Sequence, residues 1–313
     1  MTNTPGVIRL RHLSDLRTRD VEIETIRGRD SRSGHFNDRT TGLDQSFEKS
    51  RGSGLEMLST PGMSSFTDRF PAKLLDALRK ARKLTVLTGS GISAESGVPT
   101  FRDAQTGFWA KFRPEHLATP EAFQRNPKLV WEWYAWRREL VSQAHPNAGH
   151  LALVELARRV PQLSLITQNV DGLHQRAGSP DVIELHGNIS RTKCFDENLP
   201  VARWTETDET PPRCPRCGGR LRPDVVWFGE TLPPAALERA FAASQSCDLF
   251  FSIGTSTLVH PAASLPFEAL QSGATVVEIN PDPTPLTARA HHTLRGPAGE
   301  VLPALLRAAW GGS

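Results

Sequence analysis

Short apolar runs recur along the chain, and each is followed by a turn and then by a segment with helical spacing. The runs with the length and the branched residues that favour buried strands are residues 84–87, 163–167, 182–185, 249–253 and 275–279. Strands that alternate with helices predict an α/β fold. We expect a doubly wound, mostly parallel, Rossmann-like sheet with helices on both faces.

The strand–helix alternation fails in two places. Prolines punctuate residues 99–150, and residues 188–222 hold three of the four cysteines. We therefore expect a smaller module made of two insertions, a helical one at about 104–150 and a zinc-ribbon-like one at about 188–222. After this module, residues 225–227 are predicted to form a short strand.

The first 67 residues differ in composition from the rest. Arginine, aspartate, serine, threonine and glycine dominate them, and apolar residues are sparse after Ile26. This composition predicts a disordered extension before a folded domain over residues 68–313. The acidic residues argue against a transit peptide. Translation that starts at Met57 or Met63 is the alternative explanation.

The composition of the whole chain excludes several classes of protein. The 313 residues are 38% hydrophobic and 23% charged, which is ordinary for a soluble globular protein. A net charge of +3 gives no basic face for nucleic acid, and no apolar run is long enough to cross a membrane. Four cysteines are too few for a disulfide scaffold of this length. We expect a cytoplasmic monomer with no nucleic-acid or membrane partner.

Polar or glycine residues follow five of the predicted strands. They are Gly89, Gln168, His186, Gly254 and Asn280. Ligands of doubly wound sheets bind beyond the carboxyl ends of the strands. The five positions therefore predict one shared crevice.

Gly89-Ser90-Gly91 stands between a predicted strand and a predicted helix start. Backbone N–H groups at such a turn can bind a phosphate, and glycine lets the backbone come close. The third glycine, Gly97, comes too late for the usual G-x-G-x-x-G pattern. The spacing alone leaves a nucleotide site and a structural turn equally open.

Longer strings of residues resemble a known family. GSGISAESGVPTFRD and TQNVDGLHQRAG are similar to signatures of the sirtuins, the NAD-dependent protein-lysine deacylases. The family usually has alanine where this chain has Ser90. The resemblance extends over about residues 70–310 and implies that NAD is consumed while an acyl group leaves a lysine. The products would be nicotinamide, the free lysine and O-acyl-ADP-ribose.

The resemblance also implies roles for three strand-end residues. Asn169 and Asp171 would hold the nicotinamide end of NAD, and His186 would be the general base. Without the resemblance, the residue types favour a helix cap for Asn169 or Asp171 and a hydrogen-bonded structural histidine for His186.

The remaining contacts implied by the resemblance form a longer set. For NAD they are Gly89, Ser90, Gly91, Ile92, Ser93, Ala94, Glu95, Pro99, Thr100, Phe101, Arg102, Trp109, Gln168, Asn169, Val170, Asp171, Gly254, Thr255, Ser256, Asn280, Pro281, Asp282 and Ala298. Val226, Trp227 and Phe228 would bind an acyl-lysine peptide that adds as a strand. Core packing is the other explanation for Trp227 and Phe228.

Tyr134 and Arg137 lie three residues apart on a predicted helix, so they share a face. An aromatic core stripe beside a solvated arginine would give the same pattern. Y-x-x-R at this point resembles the class III sirtuins, which implies binding of the acyl carboxylate of succinyl- or malonyl-lysine, with deacetylation as well. The neighbouring Arg138 would point about 100° away on a helix.

Cys214-Pro215-Arg216-Cys217 has the spacing of half a structural zinc site. Cys194 would begin the other half, but Glu197 stands where a fourth cysteine is expected. The chain therefore predicts Cys194, Cys214 and Cys217 as structural zinc ligands, with Glu197, Asp196 or water closing the site. Loss of the metal is the alternative.

Two other functions are compatible with these residues. The same fold could carry out ADP-ribosyl transfer or NAD hydrolysis. A non-catalytic NAD-sensing module is the third hypothesis, and the presence of His186, Asn169 and Asp171 argues against it.

Overall fold

Eight strands and nine helices are present in the described residues of the computed structural model, which are 70–99, 112–205 and 207–311. The strands are β1 Lys83–Thr88, β2 Gln162–Thr167, β3 Val182–Glu184, β4 Gly187–Cys194, β5 Leu221–Val225, β6 Leu249–Ile253, β7 Thr275–Ile279 and β8 His292–Leu294. The helices are α1 Ala72–Lys80, α2 Pro114–Leu117, α3 Pro120–Arg125, α4 Pro127–Gln143, α5 Ala148–Arg159, α6 Leu173–Ala177, α7 Pro234–Ser246, α8 Leu265–Gln271 and α9 Ala298–Trp310. The predictions for residues 1–67, and for Thr100, Phe101, Arg102 and Trp109, lie outside the described residues.

Six strands form a parallel sheet in the order β3-β2-β1-β6-β7-β8. The chain fills one half of the sheet from β1 outwards, then crosses over and fills the other half from β6 outwards. The strand order therefore reverses between β1 and β6, which is where doubly wound sheets bind ligands. The predicted α/β class and the parallel Rossmann-like sheet are confirmed.

Helices cover both faces of this sheet. Successive strand residues point to opposite faces, so Val86 packs in a cluster with α1, α5 and α9, and Leu87 packs in another with α7 and α8. Burial on both faces explains why the strands read as continuous apolar runs rather than as alternating patterns. None of the helices in the described ranges is both long and apolar enough to span a membrane.

A second, two-stranded sheet pairs β4 with β5 in antiparallel orientation. The strand expected at residues 225–227 is wrong in position, because the paired residues are Leu221–Val225. The antiparallel strand β4 begins at Gly187, one residue before the place where the strand–helix alternation was expected to break. The sequence did not predict β5 because the strand contains Arg222, Pro223 and Asp224, and charged residues and proline normally argue against a strand.

The segment after the first glycine turn also differs from the expectation. Residues Ser90–Ser96 form a 3₁₀ helix instead of opening an α-helix, and Gly97 ends it with a left-handed φ of 76°. A single short 3₁₀ segment has little of the aligned dipole that an α-helix offers to an anion. A phosphate at this turn would therefore depend on individual N–H and hydroxyl donors more than on a helix dipole.

Candidate active site

Two glycine turns meet at the point where the strand order reverses. Gly89 follows β1 and Gly254 follows β6, and the Gly91 N–H donates to the Gly254 carbonyl oxygen at 2.8 Å. A Cβ added to Gly91 would lie 2.7 Å from Gly254 Cα, and one added to Gly254 would lie 2.5 Å from Ile92 N. The glycines therefore make room for each other's backbone. The glycine spacing had left a phosphate site and a structural turn equally open, and this contact is a structural reason for both glycines.

Three buried polar side chains line this meeting point. Asn169 Nδ2 donates to the Gly89 carbonyl oxygen at 3.0 Å, and Ser93 Oγ donates to Asp171 Oδ2 at 2.7 Å. The other oxygen of Asp171 accepts from the Leu173 N–H at 2.9 Å. One oxygen of Asp171 therefore holds the backbone at the first residue of α6, and the other is held by Ser93 beside the first glycine turn. Burial raises the pKa of Asp171, and the bonds from Leu173 and Ser93 oppose that rise.

Gln168 connects the two halves of the crevice. Its side-chain Nε2 donates to Thr255 Oγ1 at 2.9 Å, beside the second glycine turn. Its backbone carbonyl oxygen lies 2.8 Å from His186 Nδ1. A carbonyl oxygen can only accept, so Nδ1 carries the proton of a neutral His186 ring. The free lone pair is then on Nε2.

His186 is suited to accept a proton near neutral pH. Burial lowers its pKa below the ordinary value of 6.5, and the bond to the Gln168 carbonyl partly offsets this. A lowered pKa keeps the imidazole neutral at pH 7, with Nε2 ready to accept. The side chain of His186 is half-buried.

A buried carboxylate on β7 stabilises the loop that follows this strand. Glu278 is 1% exposed and accepts from the hydroxyls of Thr284 and Thr287 and from Arg295 Nη1. The same Arg295 nitrogen donates to the carbonyl oxygens of Asn280, at 3.3 Å, and Asp282, at 3.1 Å. Asn280, Pro281 and Asp282 therefore form a braced loop. Its first residue follows Ile279, whose carbonyl accepts from the Gly254 N–H.

A second group of residues lies on α4 and after β5. Trp227 Nε1 donates to the Tyr134 hydroxyl oxygen at 2.9 Å, and both side chains are buried. Arg137 Cζ lies 5.2 Å from the centroid of the Trp133 ring. Within the described residues, no carboxylate lies within ion-pair distance of Arg137, although the charge of Asp171 acts on it. Among the described carboxylates, none therefore neutralises the charge of Arg137 by direct contact.

Arg138 lies in a different environment from Arg137. Its Cζ is 4.8 Å from the Trp131 ring centroid, and burial lowers its pKa to about 10. The charge of Asp171 in the crevice opposes the lowering of the pKa of Arg137 that burial causes. Arg137 is the arginine that is electrostatically linked to the crevice.

In the predicted peptide-binding segment, residues 226–228, every backbone N–H already donates a hydrogen bond within the protein. Val226 N donates to the His186 carbonyl, Trp227 N to Glu230 Oε2, and Phe228 N to the Ala118 carbonyl. A peptide strand would have to pair through other backbone groups of this segment. Phe228 is 45% exposed, and Leu258 in the loop after β6 is 55% exposed. Each of these loops therefore offers apolar surface to a peptide.

The metal-binding prediction is completed by a carboxylate. Cys194, Glu197, Cys214 and Cys217 place one ligand atom each within 4.8 Å of the others. Cys194 Sγ lies 3.4 Å from Cys217 Sγ, and Cys214 Sγ lies 3.8 Å from Glu197 Oε2. Ligands about 2.0–2.3 Å from a tetrahedral zinc ion would be separated by similar distances. Glu197, rather than Asp196, joins the cysteines, and three thiolates with one carboxylate suit zinc.

Comparison with known proteins agrees with this arrangement. A family model described as "Sir2 family" matches residues 89–261, the stretch from the first glycine turn to the loop after β6. The chain belongs to the Sir2 family. The family resemblance stated from the motifs is confirmed.

The Sir2 relatives cover most of the described chain. An NAD-dependent protein deacylase 1 of Pseudomonas aeruginosa is 51% identical over 247 residues, which are 76% of this chain and 99% of the relative. An NAD-dependent protein deacylase of Aquifex aeolicus is 57% identical over 205 residues, which are 65% of this chain and 85% of the relative.

Solved Sir2 structures superpose on the chain as well. The crystal structure of a Sir2 homologue–NAD complex has a TM-score of 0.71 and 49% identity, covering 76% of this chain and 93% of that one. A Sir2 bound to acetylated peptide has a TM-score of 0.67 and 30% identity, and the match covers 77% of this chain and 98% of that one.

Direct contacts connect part of the predicted Sir2 site. Hydrogen bonds or close backbone contacts link Gly89, Gly91, Ile92, Ser93, Gln168, Asn169, Asp171, His186, Gly254 and Thr255. Glu95 joins α9 instead, where its carboxylate accepts from the Gly299 N–H next to Ala298. Cys194 and Cys214 pack in a separate cluster with Val201 and Leu221.

Sequence reasoning missed three residues that support the Sir2 site. Asn147 Nδ2 donates to the Ile92 carbonyl at 2.7 Å and to Ser96 Oγ at 3.0 Å, which fixes the 3₁₀ segment. The Asn147 side chain also caps α5, and nothing near it in the sequence indicates its contact with the 3₁₀ segment. Arg222 and Glu230 hold Trp227, and no local pattern in the sequence indicates that pairing.

Proposed function

We propose that this chain is an NAD-dependent protein-lysine deacylase that favours acyl groups ending in a carboxylate. The deacylase names of its Sir2 relatives support the first part. The observation that carries the catalytic assignment is the bond from His186 Nδ1 to the Gln168 carbonyl, because it leaves Nε2 as the acceptor. Succinyl- and malonyl-lysine are the substrates proposed, with acetyl-lysine as a poorer one.

The residues of the crevice suit NAD as a consumed cosubstrate. Asn169 and Asp171 present amide and carboxylate groups at the meeting of the glycine turns, which suits a carboxamide and ribose hydroxyls. When bound, NAD supplies an electrophilic ribose carbon with nicotinamide as its leaving group. His186 Nε2 would take the proton of a ribose hydroxyl. The buried walls around Asn169 and Asp171 would limit the entry of water.

The acyl preference rests on charge. Arg137 carries a positive charge in a half-buried position with no carboxylate partner among the described residues. A buried cation without a partner is costly, and an acyl carboxylate would relieve that cost by a charge-assisted hydrogen bond. An acetyl group offers no charge for Arg137 to bind.

The test compares acetyl-, malonyl- and succinyl-lysine peptides of one sequence, measuring nicotinamide release and deacylated peptide with NAD. Arg137→Met should lower kcat/KM for the succinyl peptide by ~10- to 150-fold relative to the acetyl peptide, the range expected for one charged hydrogen bond. Arg138→Met is the matched control and should leave the succinyl-to-acetyl ratio unchanged. Equal losses on both peptides would rule out the carboxylate role of Arg137. Nicotinamide release that does not depend on an acyl peptide would indicate NAD hydrolysis instead.

A further inference from the structure

The Tyr134 hydroxyl accepts one hydrogen bond in the structure and still has its own proton to donate. Its oxygen accepts the Trp227 Nε1–H at 2.9 Å, and an indole nitrogen can only donate. The hydroxyl proton must therefore point to some other acceptor. Burial raises the pKa of Tyr134 to about 12, so the hydroxyl keeps that proton over the whole working pH range.

Trp227 is itself held in place from two sides. The Arg222 guanidinium stacks on its ring, with Cζ 3.3 Å from the centroid. Glu230 pairs with Arg222 through both carboxylate oxygens, and one of them also accepts the Trp227 backbone N–H at 2.7 Å. Arg222 is 2% exposed, so water does not compete strongly for this pair. A buried, doubly bonded Arg–Glu pair of this kind fixes geometry more than it adds stability.

We propose that Trp227, held by Arg222 and Glu230, is a positioning residue that makes Tyr134 a dedicated hydrogen-bond donor to the acyl carboxylate. This inference rests on the proposed acyl preference. Without the Trp227 bond, the Tyr134 hydroxyl could turn and present its lone pairs, which would repel a carboxylate. With it, the tyrosine proton and the Arg137 charge act on the same anionic group.

The experiment is a double-mutant cycle on the ratio of desuccinylation to deacetylation, each measured as kcat/KM. Tyr134→Phe should lower the ratio by ~10-fold or more, as expected for a hydrogen bond to a charged group. Trp227→Phe keeps an aromatic ring and should lower the ratio by roughly fivefold, about the value of one neutral hydrogen bond. The double variant should match Tyr134→Phe alone, because the indole then has no hydroxyl to orient.

Phe123→Leu is the control for loosened packing. Phe123 packs on Trp227 with ring centroids 5.3 Å apart and makes no bond to Tyr134. This variant should lower the melting temperature while leaving the succinyl-to-acetyl ratio as it is. If Trp227→Phe does not fold, Arg222→Lys replaces it in the cycle. That variant keeps the charge and loses the planar stack, so the ratio should again fall.

The outcomes separate the two proposals. If neither Tyr134→Phe nor Arg137→Met lowers the ratio, the acyl preference itself is wrong. If both lower it but Trp227→Phe leaves it unchanged, or the losses in the double variant multiply, only the positioning role of Trp227 is overturned.

Discussion

Removing the buried carboxylate beneath the β7 loop should weaken both the fold and NAD binding. Glu278→Ala takes away the acceptor for the two threonine hydroxyls and Arg295. Breaking a buried ion pair costs about 3–5 kcal/mol. Arg295 is 35% exposed and can regain water, which favours the lower end of that range. We expect a loss of about 3 kcal/mol in unfolding free energy, or a fall in melting temperature of roughly 6–12 °C.

The same change should raise the KM for NAD. Arg295 would no longer be held against the carbonyl oxygens of Asn280 and Asp282, so the loop would have to be ordered when NAD binds. Ordering one backbone residue costs about 1–2 kcal/mol, which corresponds to a rise of roughly 5- to 30-fold. Urea denaturation gives the stability, and initial rates at a fixed acyl-peptide concentration give the KM.

A surface carboxylate serves as the matched control for Glu278. Glu155 pairs with Arg158 and Arg159 on the exposed side of α5, and such pairs contribute less than about 1 kcal/mol. Glu155→Ala should therefore change neither quantity appreciably. A Glu278→Ala protein as stable as the parent would refute the stabilising role of the bonds between Glu278, the two threonines and Arg295. A destabilised protein with an unaltered KM would refute its role in holding the loop.

Two further predictions concern proton transfer and the metal site. The acidic limb of kcat/KM should have its midpoint below pH 6.5, because burial lowers the pKa of His186 and activity falls only as Nε2 becomes protonated. A midpoint above 6.5 in the pH profile would contradict that assignment. Glu197→Ala should release zinc faster to a colorimetric chelator, and Glu197→Cys more slowly, because thiolates bind zinc strongly. Equal release rates in both variants and the parent would show that Glu197 is not a ligand.

The central sheet could be predicted from the sequence because burial on both faces leaves a simple signal. β1, β2, β6 and β7 are short, apolar and followed by a turn, and the structure has them within one residue of the expected bounds. β8 was not predicted. Its three residues, His292–Leu294, are too few and too polar to form a pattern.

The support of the acyl pocket could not be predicted, because it depends on contacts between distant segments. Tyr134 on α4 was identified by its spacing from Arg137, but its partner Trp227 comes after β5. Arg222 is buried because Glu230 neutralises it, whereas a sequence pattern treats both as surface residues. The role of Glu197 was only partly predictable in the same way. The sequence shows that Glu197 stands in the place of a fourth cysteine, but its approach to three thiols depends on how β4 and β5 pair.

The meeting of Gly91 with Gly254 also has a consequence for the order of folding. These residues follow the first and the fourth strands of the large sheet along the chain, and all of the second sheet lies between them. A nascent chain that has not yet emerged to β6 lacks the backbone against which the first turn packs. The meeting of the two glycine turns therefore cannot form in an N-terminal fragment that ends before Gly254. A contact so remote in sequence is also slow to form, so cofactor binding reports on a chain whose central strands have already paired.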